Sequence, residues 1–282
     1  MYLVREAISR EYQDARRGVR SPGRGGGFPR LRGRGVVGAV RPPRYLLREH
    51  AINRILRTMA PGKFLEFGYG NGNMLSNLAA HGFHGDGYDF STSARRVAER
   101  HLRRERVSGV RLLDAIDERE TYDYVFVLEV LGYVPDILAT LGALRRLLRP
   151  GGKLIMSVPR KGAAYSTTAM GVQRFFTRGE IAEAVDQVGF RLVEIRNYGF
   201  PLANLLSPFL MAGFILKTLE LRGGVLYKPM DVRLTGLFHE NLFMRALGLA
   251  VNRLTIRPFA ALQTLFMDTN LGNGYIAVAR VP

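Results

Sequence analysis

Residues 63–73 read Lys-Phe-Leu-Glu-Phe-Gly-Tyr-Gly-Asn-Gly-Asn, and this stretch decides the fold. An apolar run of strand length ends in alternate glycines, and apolar residues at helical spacing follow: Gly68, Gly70 and Gly72, then Met74, Leu75 and Leu78. The order predicts a strand, a tight glycine turn and a helix, which form the entrance to a nucleotide site in an α/β protein. Glycine suits such a turn because the backbone takes unusual φ values and a ligand approaches it closely.

The glycine spacing bears on which ligand binds. A dinucleotide-binding turn reads G-x-G-x-x-G and would require glycine at position 73, which is Asn73. Here an acidic strand residue, Glu66, precedes a G-x-G-x-G turn. Both features speak against a nicotinamide oxidoreductase. A plain structural turn stays open at this point, so the interpretation depends on the motifs that follow.

A second acidic residue follows the next predicted strand, within Gly-Tyr-Asp-Phe-Ser at residues 87–91. Asp89 lies about 21 residues beyond Gly68, where nucleotide-binding folds of this kind hold a ribose by its hydroxyls. A carboxylate suits a vicinal diol because it accepts two hydrogen bonds at once. The alternative is that Asp89 caps the next helix, beside Ser91; we favour the ribose role.

Further motifs continue the alternation of strands and helices. A buried fourth strand at residues 121–128 leads into Glu129-Val-Leu-Gly-Tyr-Val-Pro-Asp136. Leu-Leu-Arg-Pro-Gly-Gly-Lys-Leu at residues 147–154 turns the chain into a fifth strand, predicted over residues 154–158. Thr177-Arg-Gly-Glu180 predicts a capping box at a helix start. A sixth strand is predicted over residues 191–196 and a seventh over residues 274–280.

These motifs, in order and at ordinary spacing over residues 45–200, resemble those of class I S-adenosylmethionine-dependent methyltransferases. The segment from Glu129 resembles Glu-x-Leu-Glu-His-Val-Pro-Asp of the ubiquinone-biosynthesis-type O-methyltransferases. The resemblance implies an α/β, Rossmann-like fold of seven strands, S-adenosyl-L-methionine as methyl donor and no metal. It also implies the donor contacts, with Asp114 receiving the adenine amino group: Glu66, Gly68, Gly70, Gly72, Asp89, Phe90, Asp114, Ala115, Leu128 and Glu129.

The sequence does not identify the catalytic residue. Methyl transfer from a sulfonium is an in-line displacement, so the protein mainly aligns the acceptor and excludes water. A base is needed only where the attacking atom carries a proton. The candidates are Glu129 and Tyr133 after the fourth strand and His239 further on. Gly132 and Tyr133 stand where the resembling family has Glu and His, so that His is not carried over as a base.

Composition and motifs divide the chain into four parts. Residues 1–44 form a basic, Gly/Arg-rich arm with too little apolar content to bury a core. Residues 45–200 form the methyltransferase core, residues 201–273 a helical lid inserted between strands six and seven, and residues 274–282 the final strand. The apolar lid helix that starts near residue 207 would be roughly 21 Å long, too short for a bilayer core of about 30 Å.

The chain has 282 residues, a net charge of +17 and no cysteine, which excludes disulfides, thiolate metal sites and cysteine nucleophiles. We expect a cytoplasmic methyltransferase with a small, lipophilic acceptor covered by the lid. An RNA or protein methyltransferase that uses the basic arm is the alternative. Nucleic acid is less favoured because the Gly/Arg-rich stretch of the arm, residues 16–44, offers only Phe28 for stacking. A donor-binding domain without catalysis also stays open, as does peripheral contact with the inner face of an anionic membrane.

Overall fold

The computed structural model describes residues 43–163, 172, 174–206, 252 and 254–282. The predicted arm before residue 43 and most of the predicted lid, including His239, lie outside the described residues. Residues 202–206 are helical, and a short 3-10 helix spans Thr264–Phe266. The other elements, in chain order, are α1 (Pro43–Leu56), β1 (Lys63–Phe67), α2 (Asn73–Ala80), β2 (His84–Tyr88), α3 (Thr92–Arg104), β3 (Val110–Leu113), β4 (Tyr122–Leu128), α4 (Ile137–Arg146), β5 (Leu148–Pro159), α5 (Arg178–Gln187), β6 (Arg191–Tyr198), α6 (Arg257–Gln263) and β7 (Gly274–Arg280).

The seven strands form one mixed sheet in the order β3-β2-β1-β4-β5-β7-β6. Strands β1 to β5 run parallel, whereas β7 lies antiparallel between β5 and β6. The winding of the chain reverses beside β1, which has β2 on one side and β4 on the other. Ligands of such sheets bind outside the carboxyl ends of the strands at this point. The predicted seven-stranded, Rossmann-like fold is confirmed.

Helices cover both faces of the sheet because successive side chains of a strand point to opposite faces. On one face, Leu65, Val125 and Leu154 share a core with the inner sides of α4 and α5, including Leu141, Leu144, Ile181 and Val185. On the other face, Phe64 and Phe126 share a core with α1, α2 and α3, including Ile52, Leu75 and Ala98. The strands are held by packing on both faces. The turns after their carboxyl ends lie outside these two cores and form the site described below.

The helix starts follow their sequence signals. The Thr177 hydroxyl accepts a hydrogen bond from the Glu180 N–H at 3.2 Å, and the Glu180 carboxylate accepts one from the Thr177 N–H at 2.7 Å. The predicted capping box is therefore present. Ser91 and Asp136 cap α3 and α4 in the simpler way, by accepting from the N–H three residues further on. Each cap satisfies a donor that the start of a helix leaves unpaired.

Three boundaries differ from the sequence-based prediction. Helix α1 begins at Pro43, so the last two residues of the predicted arm belong to a helix. Strand β5 begins at Leu148 rather than at residue 154, because Leu148 pairs with Tyr122 before the register shifts. Strand β6 runs two residues further than predicted, to Tyr198, which pairs with Gly274 of β7. The last difference places a tyrosine at the sheet edge where the site lies.

Candidate functional site

An open cleft lies at the carboxyl ends of β1, β2 and β4. Its wall is formed by the glycine turn after β1, the residues after β2 and the turn after β4. Six predicted site residues lie in this wall: Gly68, Gly70, Asp89, Phe90, Glu129 and Tyr133. The other predicted donor contacts lie outside it: Glu66, Gly72, Asp114, Ala115 and Leu128. The structure thus brings the glycine turn and the end of the fourth strand to one place.

The three glycines of the turn all have positive φ, at 82°, 54° and 77° for Gly68, Gly70 and Gly72. A Cβ on Gly68 would lie 2.4 Å from Cγ2 of Val130, so that glycine allows the two turns to pack. A Cβ on Gly70 would meet no atom within 4 Å. Since Gly70 also lines the cleft, the space beside it is available for a ligand that approaches the backbone.

Asp89 connects the end of β2 to the glycine turn. Its Oδ2 accepts a hydrogen bond from the Gly70 N–H at 2.8 Å, and its Oδ1 accepts one from the Ser91 N–H at 2.9 Å. Burial raises the pKa of this carboxyl, while the two backbone hydrogen bonds act in the opposite direction. The cap of α3 is Ser91 rather than Asp89. Asp89 is therefore placed in the cleft wall, as the ribose role requires.

Glu66 lies beneath the turn rather than in the cleft wall. Its side chain points into the protein from β1, with only 3% of the residue exposed. Burial raises its pKa to about 8; the nearby Arg48 opposes this shift and Asp89 adds to it. Within the described part of the chain, Oε2 of Glu66 has no hydrogen-bond partner. A neutral, protonated carboxyl therefore lies under the glycine turn at neutral pH.

The predicted adenine contacts are exposed. Asp114 and Ala115 follow β3 at the surface, and the Asp114 carboxylate is paired with Arg95 of α3. Phe90 is 48% exposed and does line the cleft. Leu128 is buried in the core beside α1 to α3, so it contributes packing at the end of β4. The roles of Asp114, Ala115 and Leu128 toward the donor stay predictions.

Glu129 is the most heavily bonded side chain of the site. Its Oε2 accepts a hydrogen bond from Nη2 of Arg44 at 2.6 Å. Its Oε1 accepts from the Tyr198 hydroxyl at 2.7 Å and the Ser157 hydroxyl at 3.1 Å, and Arg48 lies 3.8 Å away. Burial alone would raise the Glu129 pKa, but Arg44, Arg48 and the Tyr198 hydrogen bond together hold it below its usual range.

Sequence reasoning missed the partners of Glu129. Arg44 and Arg48 are spaced i, i+4 on α1, so their side chains lie on one face of the helix. Arg44 is also stacked over the Tyr198 ring, 5.3 Å from its centroid. The helical spacing was visible in the sequence, but the position of Arg44 at the end of an arginine-rich stretch hid its role. Ser157 and Tyr198 carry no local signal, because each lies within or at the end of a strand and no sequence motif marks it.

Tyr133 is half-buried in the cleft wall, so two of the three catalytic candidates, Glu129 and Tyr133, lie together. Gly132 explains part of the departure from the resembling motif. A Cβ on Gly132 would lie 3.1 Å from the Arg174 carbonyl oxygen and 3.2 Å from Val172. A glutamate at this position would have to displace that segment.

Comparison with known proteins identifies the class. A model described as a methyltransferase domain matches residues 42–195, more than half of the chain, so the chain belongs to this family. The protein is an S-adenosylmethionine-dependent methyltransferase. Two similar structures share the fold: the cyclase SpnF, with a TM-score of 0.52 at 16% identity over 83% of this chain and 80% of that one, and phosphoethanolamine N-methyltransferase 2 of Haemonchus contortus bound to S-adenosyl-L-methionine, with a TM-score of 0.50 at 18% identity over 83% and 52%.

Similar curated proteins include enzymes with different acceptors. The ubiquinone biosynthesis O-methyltransferase of Cupriavidus pinatubonensis is 30% identical over 173 residues, which are 53% of this chain and 68% of that protein. Phosphoethanolamine N-methyltransferase 2 of Caenorhabditis elegans is 28% identical over 150 residues, which are 49% of this chain and 34% of that protein. These relatives establish the reaction class and leave the acceptor and the methylated atom undetermined.

The cleft fits S-adenosyl-L-methionine in three respects. The open space beside Gly70 admits a ligand against the backbone. Asp89 offers a carboxylate in the wall for the ribose hydroxyls. Two arginines face one carboxylate, Glu129, so a net positive charge remains beside the cleft wall, where it would suit an anionic group of the donor. The residues present are therefore chemically suited to this donor.

Proposed function

We propose that this protein transfers the methyl group of S-adenosyl-L-methionine to a small, lipophilic acceptor. We assign the side of the cleft around Gly70 and Asp89 to the donor and the apolar side, with Val130, Val134 and Pro135, to the acceptor; this apolar side carries the acceptor class. Such a lining binds an apolar body and keeps water away from reacting atoms. The similarity to ubiquinone biosynthesis O-methyltransferases supports the same class of acceptor.

The chain's own residues then have to position the acceptor and handle any proton it loses. The bound donor supplies an already activated methyl group, because the sulfonium leaves as a neutral thioether. Glu129 is poorly suited to accept a proton, since its pKa is held low and its oxygens already accept three hydrogen bonds. Tyr133 is the other described candidate in the wall. We assign no base.

The test is a transfer assay with radiolabelled donor and separate lipid, quinone and polyketide extracts. We expect label in the organic phase from at least one extract, and none when S-adenosylhomocysteine is added in excess. Parallel reactions contain total RNA and total protein in place of the extracts. Label found only in RNA or protein would overturn the lipophilic acceptor and support the alternative use of the basic arm.

An exposed apolar ridge supports peripheral contact with a membrane as part of this function. Phe259, Leu262 and Leu265 are spaced by three along α6 and the 3-10 helix, so they lie on one side, and Leu265 is 75% exposed. The same segment packs inward through Ala260 and Gln263. Residues 252–267 contain arginines and no carboxylate, so they suit an anionic surface. Among the described residues, no helix is long and apolar enough to span a bilayer.

The segment that carries the ridge contacts α1 and the residue after β6, so this proposal connects membrane contact to acceptor supply. The Gln263 side chain accepts a hydrogen bond from the Gly199 N–H, next to Tyr198, and donates one to the Leu47 carbonyl oxygen of α1. An acceptor dissolved in the membrane would therefore enter beside the edge that holds Glu129.

Vesicle co-sedimentation tests the ridge. Leu262→Asp with Leu265→Asp should reduce binding to vesicles that contain phosphatidylglycerol, without a change in donor affinity. Val193→Asp is the matched control, because Val193 is 57% exposed on the edge strand β6. Unchanged binding by the double variant would contradict membrane contact at the ridge, as would a wild-type dimer that the double variant converts to a monomer.

A further inference from the structure

Glu129 has an uncommon backbone conformation for a residue that is not glycine. Its φ is 61°, in the left-handed region, directly after β4. Its N–H donates a hydrogen bond to the Ser157 carbonyl oxygen at 2.9 Å, so the turn stays attached to β5 while the side chain projects from the sheet edge. Such strain persists where the surroundings hold it in place, and it is concentrated at functional sites.

The side chain joins three elements that are far apart in sequence. Arg44 and Arg48 reach Glu129 from α1, Ser157 from β5 and Tyr198 from the end of β6. Ser157 and Tyr198 are fully buried, so their hydroxyls have fixed positions and orient the carboxylate. Burial raises the pKa of Tyr198 far above its ordinary value, which keeps it a phenol that donates to Glu129.

Glu129 is an anionic partner of two cationic side chains of helix α1. Two guanidinium groups from consecutive turns of α1 face Glu129, with side-chain exposures of 18% for Arg44 and 11% for Arg48. Partly buried cations need a nearby anion, and removal of one partner from such a pair costs more than removal of both. Without the negative charge at position 129, the first turns of α1 would lose their ionic attachment to the cleft wall.

We propose that Glu129 is a positioning residue, a fixed anion that holds α1 and its arginines against the rim of the donor cleft. It fixes the positions of the Arg44 and Arg48 guanidinium groups when the donor binds. Proton transfer from the acceptor is left to another group. This inference rests on the use of S-adenosyl-L-methionine and on the cleft as its site, and it is independent of the identity of the acceptor.

The decisive variant is Glu129→Gln, which keeps the shape of the side chain and removes its charge. We expect S-adenosylhomocysteine to bind roughly tenfold to a hundredfold more weakly by titration calorimetry, as for loss of one charged hydrogen bond. Amide hydrogen exchange should rise in α1 and stay unchanged in β4 and β5. Tyr198→Phe, which removes one hydrogen bond and no charge, should have a smaller effect in the same direction.

Two comparisons separate this role from general destabilisation. Glu120→Gln removes the acidic partner of Lys63 from a more exposed ion pair and should leave donor affinity unchanged. A double-mutant cycle with Arg44→Gln should show coupling, with the two losses of affinity summing to more than the loss in the double variant. Purely additive losses, or faster exchange throughout the protein rather than in α1, would overturn the positioning role.

The outcomes also separate failure of this inference from failure of the donor assignment. If the wild-type protein does not bind S-adenosylhomocysteine, the donor assignment fails. If the wild type binds and Glu129→Gln binds equally well with unchanged exchange in α1, only the positioning role fails.

Discussion

Replacement of Gly70 by alanine separates donor binding from folding. Gly70 has a φ of 54°, and a Cβ built on it meets no atom within 4 Å. Gly70→Ala should therefore cost only the strain of a left-handed residue, about 1–2 kcal/mol. For a domain of this size, that corresponds to a fall in Tm of roughly 2–8 °C. The new methyl group occupies the open space at the cleft wall, so we expect S-adenosylhomocysteine to bind at least about tenfold more weakly.

Gly68→Ala is the matched control, because its new Cβ would disturb packing inside the protein rather than fill open space in the cleft. Its φ of 82° gives similar backbone strain, but the new Cβ would lie 2.4 Å from Cγ2 of Val130, so the two turns must move apart. We expect Gly68→Ala to lower Tm more than Gly70→Ala does. Thermal melting and titration calorimetry with S-adenosylhomocysteine measure the two effects separately. A Gly70→Ala protein that binds this ligand as tightly as the wild type would refute the position of the donor over this turn.

Three further predictions test individual parts of the site. Glu66→Gln should remove a pH dependence of stability. The wild type should lose a few kcal/mol in free energy of unfolding as pH rises from about 4.5 to about 8, because Glu66 gives up its proton at lower pH in the unfolded chain than in the folded one. Urea denaturation at these two pH values measures the loss. Asp89→Ala should weaken S-adenosylhomocysteine binding by about 1.5–3 kcal/mol in calorimetry, and unchanged binding would contradict the ribose role. Deletion of residues 1–42 should leave fold and donor affinity unchanged in thermal melting and calorimetry; a loss of affinity would show that the arm itself contributes.

The fold could be predicted because its signals are local. The glycine turn, the Thr177 capping box and the apolar strands each lie within about a dozen residues, and such motifs in a fixed order leave few possible topologies. The space beside Gly70 also follows from the turn alone. The boundary of β5 could not be predicted in the same way, because pairing of Leu148 with Tyr122 depends on a register shift between strands.

The electrostatics of the site could not be predicted, because they depend on contacts over long separations in sequence. Arg44 is 85 residues from Glu129, and Tyr198 is 69 residues from it. In the sequence, Glu66 and Glu129 are equivalent, since each is an acidic residue at the end of a buried strand. The fold then separates them: desolvation dominates at Glu66 and raises its pKa, while Arg44, Arg48 and hydroxyl donors lower the pKa of Glu129.

The two carboxyls therefore differ in charge, one beneath the glycine turn and one in the cleft wall. With its pKa raised to about 8, the Glu66 carboxyl adds little negative charge under the glycine turn at neutral pH. A carboxylate that stays ionised at the rim can hold two arginines in place. Arg48 acts on both groups, lowering the pKa of Glu66 and of Glu129, so the position of α1 affects the charge on both sides of the site. Where the surroundings shift the pKa values of two carboxyls in opposite directions, the two groups can have different roles although their chemistry is the same. If the positioning role of Glu129 holds, changes in α1 will alter donor affinity although no α1 residue lines the cleft.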